Sequence, residues 1–180
     1  ARITGWKGHA ALLDALARLK DRKFLCVLVG DDQGRRSQRS KIEAKIKALG
    51  LESCVLIAGH CADMPAAYML ADVVVNASIE PEAFGRVMAE GGAMGKPVVA
   101  FKHGGAMEIV LDGRTGWLTP PGDIPALARA IGMAAALTAP ERESLAREAI
   151  ARVRAQFSKR AMCDQTLDVY EQVIRAARAR

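Results

Sequence analysis

Short apolar runs and longer amphipathic stretches alternate along the chain. FLCVLVG (24–30), CVLIAG (54–59), DVVVNAS (72–78) and PVVAF (97–101) are aliphatic without strict alternation, and a weaker fifth run, GWLT (116–119), is fenced by Gly113 and Pro120-Pro121. Runs of this kind predict parallel strands covered on both faces. Between them, Leu12, Leu13, Leu16 and Leu19 recur at helical spacing, and Ile42, Ile46 and Leu49 repeat the pattern. Further helices are predicted over 65–70, 86–94 and 124–137. Everything after Ala139 reads as helical, with Pro140 suited to a first turn, a break near Phe157-Ser158 and a last helix ending near Ala179. This alternation predicts an α/β domain: a Rossmann-like open parallel sheet with helices on both faces, built from right-handed βαβ units. Ligands of such sheets bind beyond the carboxyl ends of the strands, so the loops there are the ones to inspect.

A chain of 180 residues, 51% hydrophobic, fits a single domain over 1–180 with a real core. No apolar run nears the ~18 residues of a bilayer span, and no signal-peptide pattern opens the chain. A cytoplasmic protein is the expectation. The sequence begins at Ala1, already inside what reads as a motif, so a piece of a longer protein is expected. A formal charge of +6 and a pI of 9.4 favour anionic partners: phosphorylated small molecules, an acidic membrane surface touched peripherally, or nucleic acid. With 4% aromatics a base-stacking platform is poorly supplied, and nucleic acid is not the expected partner. Cys26, Cys54, Cys61 and Cys163 show no paired spacing and read as reduced thiols. Cys54, His60 and Cys61 lack a fourth ligand, so no metal is expected.

Three loops carry candidate chemistry. In SIEPEAFGRVMAEGGAMGKPVVA (78–100) a strand end, an acidic loop and a helix start follow one another. Glu82 belongs to the loop and Glu90 lies two turns into the helix, a placement suited to accepting hydrogen bonds from vicinal hydroxyls of a sugar or ribose. About half a Glu-x7-Glu pair is expected by chance at this composition. The context, not the spacing, makes the pair informative. Gly85 at the helix entrance allows close approach to backbone amides that suit a phosphate. In RITGWKG (2–8), Arg2 and Lys7 precede a helix start, where cations oppose the helix dipole and an anion between them would account for the choice. In KHGGAMEIVLDGRTGWLTP (102–120), Gly104-Gly105 again let amides near a ligand. Asp31 and Asp32 point to the same crevice, with a loop cap favoured over a metal pair. The basic run Arg35, Arg36, Arg39, Lys41, Lys45 and Lys47 reads as a solvated helix face.

Taken together, RITGWKG, VGDD, IAGH, ADVVVNAS, EPEAFGRVMAE, AMGKPVVA, GGAMEIVLDGRTGWLTPPGD and the terminal YEQVI resemble the retaining, family-4-type glycosyltransferases of the GT-B fold (the glycosyl transferases group 1). The blocks agree in order and spacing from Arg2 to about Ile174. The match is to the C-terminal, donor-binding half. The resemblance implies that an N-terminal acceptor domain precedes Arg2 in a full enzyme, and that the isolated half is inactive. It implies a nucleoside-diphosphate sugar as donor, a sugar- or lipid-borne hydroxyl as acceptor, retention of configuration and no metal or other cofactor. By the same resemblance Arg2 and Lys7 hold the diphosphate, Glu82 the transferred sugar and Glu90 the ribose. The backbone of Phe84, Gly85 and Arg86 approaches the ligand, Val87 lines the site, and Gly59, His60 and Cys61 border the base. A bacterial envelope role in lipopolysaccharide or capsule assembly, at the inner face of the plasma membrane, is the family-level expectation. Gly91 and Gly92 depart from the commoner wording after the second glutamate. The last helix, 162–180, would lack its docking surface and self-associate, fold back or stay exposed.

Two rival readings are kept. A GT-B-like sugar-nucleotide epimerase would yield an altered sugar nucleotide, and a non-catalytic nucleotide-binding scaffold would transfer nothing. A dinucleotide oxidoreductase is disfavoured, because VGDDQG carries no GxGxxG after its strand.

Overall fold

The computed structural model describes residues 2–19, 23–34 and 36–178. Arg35 of the basic run and residues 179–180 of the tail lie outside that description. After a 3-10 turn, Gly5–Lys7, the helix α1 (His9–Ala17) leads into β1 (Cys26–Val29), α2 (Arg36–Ala48) and β2 (Val55–Gly59). Then follow α3 (Met64–Leu70), β3 (Val74–Asn76), α4 (Arg86–Ala93), β4 (Val98–Phe101), α5 (Ala106–Ile109) and β5 (Gly116–Thr119). Three helices close the chain: α6 (Ile124–Ala135), α7 (Ala139–Gln156) and α8 (Lys159–Arg178). The α/β alternation and the parallel pairing are as the apolar runs predict.

The five strands form two parallel sheets, β1-β2 and β3-β4-β5, rather than one continuous sheet. The segment after Arg2 is tied to both. Ile3 donates its amide to the Asp31 carbonyl beyond β1, and Ile79 beyond β3 donates to the Trp6 carbonyl, both at 2.8 Å. One apolar cluster unites Leu12, Leu13 and Leu16 of α1, Ile42 and Ile46 of α2 and Leu127 and Ile131 of α6 with Leu28, Val55, Val99 and Phe101. On the opposite face Val98 and Ala100 pack with Tyr68, Val74, Met88 and Ile109. Alternate residues of β4 thus enter different clusters, as the two-residue period of a strand requires.

The three-stranded sheet is covered on both faces: β4 is buried throughout, and β3 and β5 send residues into both clusters. Val27 and Leu56, on the outer sheet, are 44% and 53% exposed. On that face α3 is short and α4 packs on β3 and β4, so no described element covers them fully. Strand ends also fall short of the apolar runs. Pairing starts only at Cys26↔Val55 and Val74↔Val98, leaving Phe24, Leu25, Asp72 and Val73 without a strand partner across.

Gly91 and Gly92 permit close packing. A Cβ on Gly91 would meet the Val74 side chain at 3.1 Å, and one on Gly92 would meet Val153 at 3.2 Å, so α4 lies tight against β3 and α7.

Candidate active site

Side chains cap the helices away from the crevice. Asp63 accepts from the Ala66 amide at α3, Asp123 from Ala126 at α6, and Thr138 with Glu141 forms a capping box at α7. Three described helices start on glycine with no side-chain cap: α1 on Gly8 (φ 69°), α4 on Gly85 (φ 89°) and the four-residue α5 on Gly105. α4 joins the parallel strands β3 and β4 and so runs antiparallel to them, which opens its start at their carboxyl ends. α1 precedes β1, and its start lies at the same end because Gly8 sits against Ala77, just beyond β3. The first amides of α1 and α4, with the positive end of each helix dipole, therefore face the crevice.

Glycines also let the loops close on one another. Any Cβ on Gly8 would run into the Ala77 carbonyl, and one on Gly105 into the carbonyl of Phe84. Gly104 lies equally tight against the Glu82 backbone, and the Gly105 amide donates to the Glu82 carbonyl at 2.8 Å. The turns at 103–105 and 78–84 and the start of α1 make one packed unit.

At its centre Lys7 Nζ stands 2.8 Å from Glu82 Oε2, and the two side chains are 12% and 13% exposed. Lys7 also lies over the Trp6 ring, 4.2 Å from its centroid. The other oxygen, Oε1, accepts from Asn76 Nδ2 at 2.9 Å and from Ser78 Oγ at 2.5 Å. Burial pushes the Glu82 carboxyl up, but the bonds from Lys7, Ser78 and Asn76 outweigh it and hold the group below its ordinary range. His103 donates through Nε2 to the Ser78 carbonyl at 2.9 Å, which fixes the proton on that nitrogen. The cavity between Glu82, Asn76, Ser78 and His103 measures only about 10 Å³, so a ligand must approach from the crevice side. A groove of about 510 Å³ lined by Arg18, Arg129 and Met133 lies at the far end of α1 and shares none of these residues.

This geometry corrects one inference from sequence. The anion beside Lys7 is the carboxylate of Glu82, so the cation at the helix start does not by itself require an external anion. Glu82 in turn has one lone pair left on Oε2 once its partners are counted. Arg2 is exposed and makes no ion pair among the described residues, yet Ile3 beside it is anchored to Asp31 at the strand ends.

Glu90 is held separately. Tyr68 donates its hydroxyl to Glu90 Oε2 at 2.8 Å, and Arg86 Nε lies 3.3 Å from Oε1. Burial and the bond to Glu90 push the Tyr68 phenol well above its ordinary range, so it stays protonated as a donor. Phe84 is 43% exposed and tilts against Phe157 with ring centroids 5.9 Å apart. Val87 packs partly into the core beside Met88 rather than standing free in the crevice. Gly59 (φ 75°) ends β2, and exposed His60 follows it at the carboxyl end of the strands. Asp32 accepts from the Gly34 amide at 3.0 Å, the role of a turn residue rather than half of a metal pair. Cys54 and Cys61 donate to the backbone carbonyls of Leu51 and Asp63. Asn76, Ser78, His103 and Tyr68 were not singled out from sequence: at a strand end or inside an apolar helix they read as ordinary residues.

The fold and site define an α/β domain whose strand-end crevice holds glycine-started helices and a cation–carboxylate pair. Comparison with known proteins gives the family. The model for "Glycosyl transferases group 1" matches residues 1–136, and the chain belongs to that family. It is 34% identical over 166 residues to the lipopolysaccharide 1,2-N-acetylglucosaminetransferase of Salmonella typhimurium, covering 87% of this chain and 43% of that protein. A glycosyltransferase structure from Rickettsia africae superposes with a TM-score of 0.91 at 35% identity, over 97% of this chain and 46% of that one. Anabaena HepE in complex with UDP and glucose superposes at 0.87 and 35% identity, over 95% and 46%. The chain thus spans less than half the length of these relatives.

Proposed function

We propose that this chain is the nucleotide-sugar-binding half of a retaining glycosyltransferase, which moves a hexose-type sugar from a nucleoside-diphosphate donor to a hydroxyl acceptor. An acceptor-binding domain elsewhere in a longer polypeptide completes the enzyme. The observation that carries the reading is the Lys7–Glu82 pair set at the glycine-started α1. Supporting it, the HepE structure holds UDP and glucose. The Salmonella relative, a lipopolysaccharide 1,2-N-acetylglucosaminetransferase, supports a donor sugar of the hexosamine or hexose type and a role in envelope glycan or glycolipid synthesis.

In this reading Arg2 and Lys7 face the diphosphate, Glu82 accepts from one sugar hydroxyl through its remaining lone pair, and Glu90 meets the ribose. The amides at Phe84, Gly85 and Arg86 approach the phosphates, Val87 adds an apolar wall, and Gly59 to Cys61 border the base. As the bond from the anomeric carbon to phosphate oxygen breaks, its electron pair stays on the diphosphate. Lys7, Arg2 and the helix-start amides stabilise that growing charge. The acceptor oxygen bonds the anomeric carbon, and its proton passes to the departing diphosphate oxygen. The fixed cations supply the charge that a metal would otherwise provide, so the reaction is proposed to be metal-independent.

The test is a donor panel on the full-length enzyme, with and without EDTA, reading product configuration by NMR. A glycoside of retained configuration, formed equally with chelator, is expected. Inversion, dependence on a metal or an epimerised sugar nucleotide overturns the corresponding part. Lys7→Ala in that enzyme lowers turnover by about 10²–10³-fold, more than it weakens donor binding. Turnover near wild type removes the role given to Lys7.

A further inference from the structure

We propose that Tyr68 is a positioning residue for Glu90, and that it thereby sets the preference of the nucleotide subsite for ribose over deoxyribose. This rests on the donor-site reading above, in which Glu90 meets the ribose. Tyr68 lies on α3, is 6% exposed and packs in the cluster of Val74 and Met88. Its hydroxyl donates to Glu90 Oε2 at 2.8 Å, across the α3–α4 contact.

Among the described residues the Glu90 carboxylate has one other partner, Arg86, whose side chain is 83% exposed. An exposed pair one helical turn apart contributes little and does not hold a rotamer. A phenol locked in the core does. It takes one lone pair of Oε2 and leaves the second, together with Oε1, which faces only the exposed Arg86, on a side chain 38% open to solvent. Those are the acceptors that two neighbouring hydroxyls need. Because the carboxylate is held before the ligand arrives, less rotamer freedom is lost on binding.

Tyr68→Phe keeps the ring in the core and deletes only the donor. The experiment titrates this chain with UDP, GDP and ADP and with their 2′-deoxy counterparts, in wild type, Tyr68→Phe, Glu90→Ala and the double variant. Wild type is expected to prefer the ribonucleotide, and Tyr68→Phe to lose most of that preference, weakening ribonucleotide binding about 3- to 10-fold and the deoxynucleotide, which keeps one of the two hydroxyls, distinctly less. In the Glu90→Ala background, removing the Tyr68 hydroxyl is expected to add nothing. If wild type binds none of the six, or binds ribo and deoxy forms alike, the donor-site reading of Glu90 fails and this inference with it. If wild type discriminates and Tyr68→Phe discriminates equally, or weakens both forms alike, the role of Tyr68 is overturned while the site reading stands. Thermal melts check folding, and Tyr68→Met, which also fills the core without a donor, repeats the comparison if Tyr68→Phe does not fold.

Discussion

Lys7 and Glu82 lie 75 positions apart in sequence and 2.8 Å apart in space, and each has stakes in the other's charge. Removing one partner strands the other in a nearly water-free position. Lys7→Ala is therefore expected to lower unfolding free energy by about 2 kcal/mol in urea titrations, and Lys7→Ala with Glu82→Gln to recover part of it. The pH dependence follows from the depressed Glu82 carboxyl. A carboxyl held lower in the folded state than in the unfolded one contributes stability above the unfolded value, near ~4.3, and loses it as pH falls through the folded value. Melts from pH 6 down to pH 2 should show that loss, and Glu82→Gln should show less of it. An unchanged profile contradicts the assignment. Gly8 sets the other residue-scale demand. Its φ of 69° and the Ala77 carbonyl against it leave no room for a side chain. Gly8→Ala is expected to cost at least ~2 kcal/mol, whereas Gly113→Ala, left-handed at 73° but with nothing near it, should cost about 1 kcal/mol. Equal effects at both positions would show that the contact with Ala77 is unimportant.

At the scale of elements, the order of strands and helices was legible because each signal is local. Leucines at helical spacing made α1, and the β-branched run at 98–99 made the start of β4. Strand ends were less legible: where Phe24 and Asp72 find no partner is settled by the neighbouring strand, not by their own composition. The site was legible as a set of residues and not as contacts. Nothing in RITGWKG announces that its lysine will meet Glu82, since the meeting depends on which loop the sheet brings alongside. Tyr68 was hidden for a related reason. An aromatic on an apolar helix is normally core, and only the packing of α3 on α4 aims its hydroxyl at Glu90. The same packing governs Gly91. A methyl there gains about 1 kcal/mol of helix propensity but presses on three carbons of Val74, so Gly91→Ala is expected to be net destabilising by about 1 kcal/mol in urea titrations. A stabilised variant would mean that β3 yields.

Across the whole molecule, burial stops where α8 begins. Among its residues Met162, Leu167, Val169, Tyr170, Val173 and Ile174 are each about half exposed or more, and no residue of the helix is buried. Few contacts restrain it beyond its junction with α7. Its amides are expected to exchange hydrogen far faster than those of α7 at low protein concentration, and to slow as concentration rises if copies of the chain cover the apolar stripe. Equal protection of the two helices at every concentration contradicts this picture. The basic face of α2 does not share that openness throughout: Arg39 pairs with Glu43 and Lys45 with Asp14 of α1. No described helix is long and apolar enough to cross a membrane.

Lys7, Glu82 and Gly8 meet at the crevice where α1 starts. Titration calorimetry of this chain with UDP, GDP and ADP tests its use most directly. The account predicts saturable binding of at least one of them, tighter than ~1 mM and weakened about tenfold or more by Lys7→Ala. Three blank isotherms, or binding that Lys7→Ala leaves untouched, would contradict it.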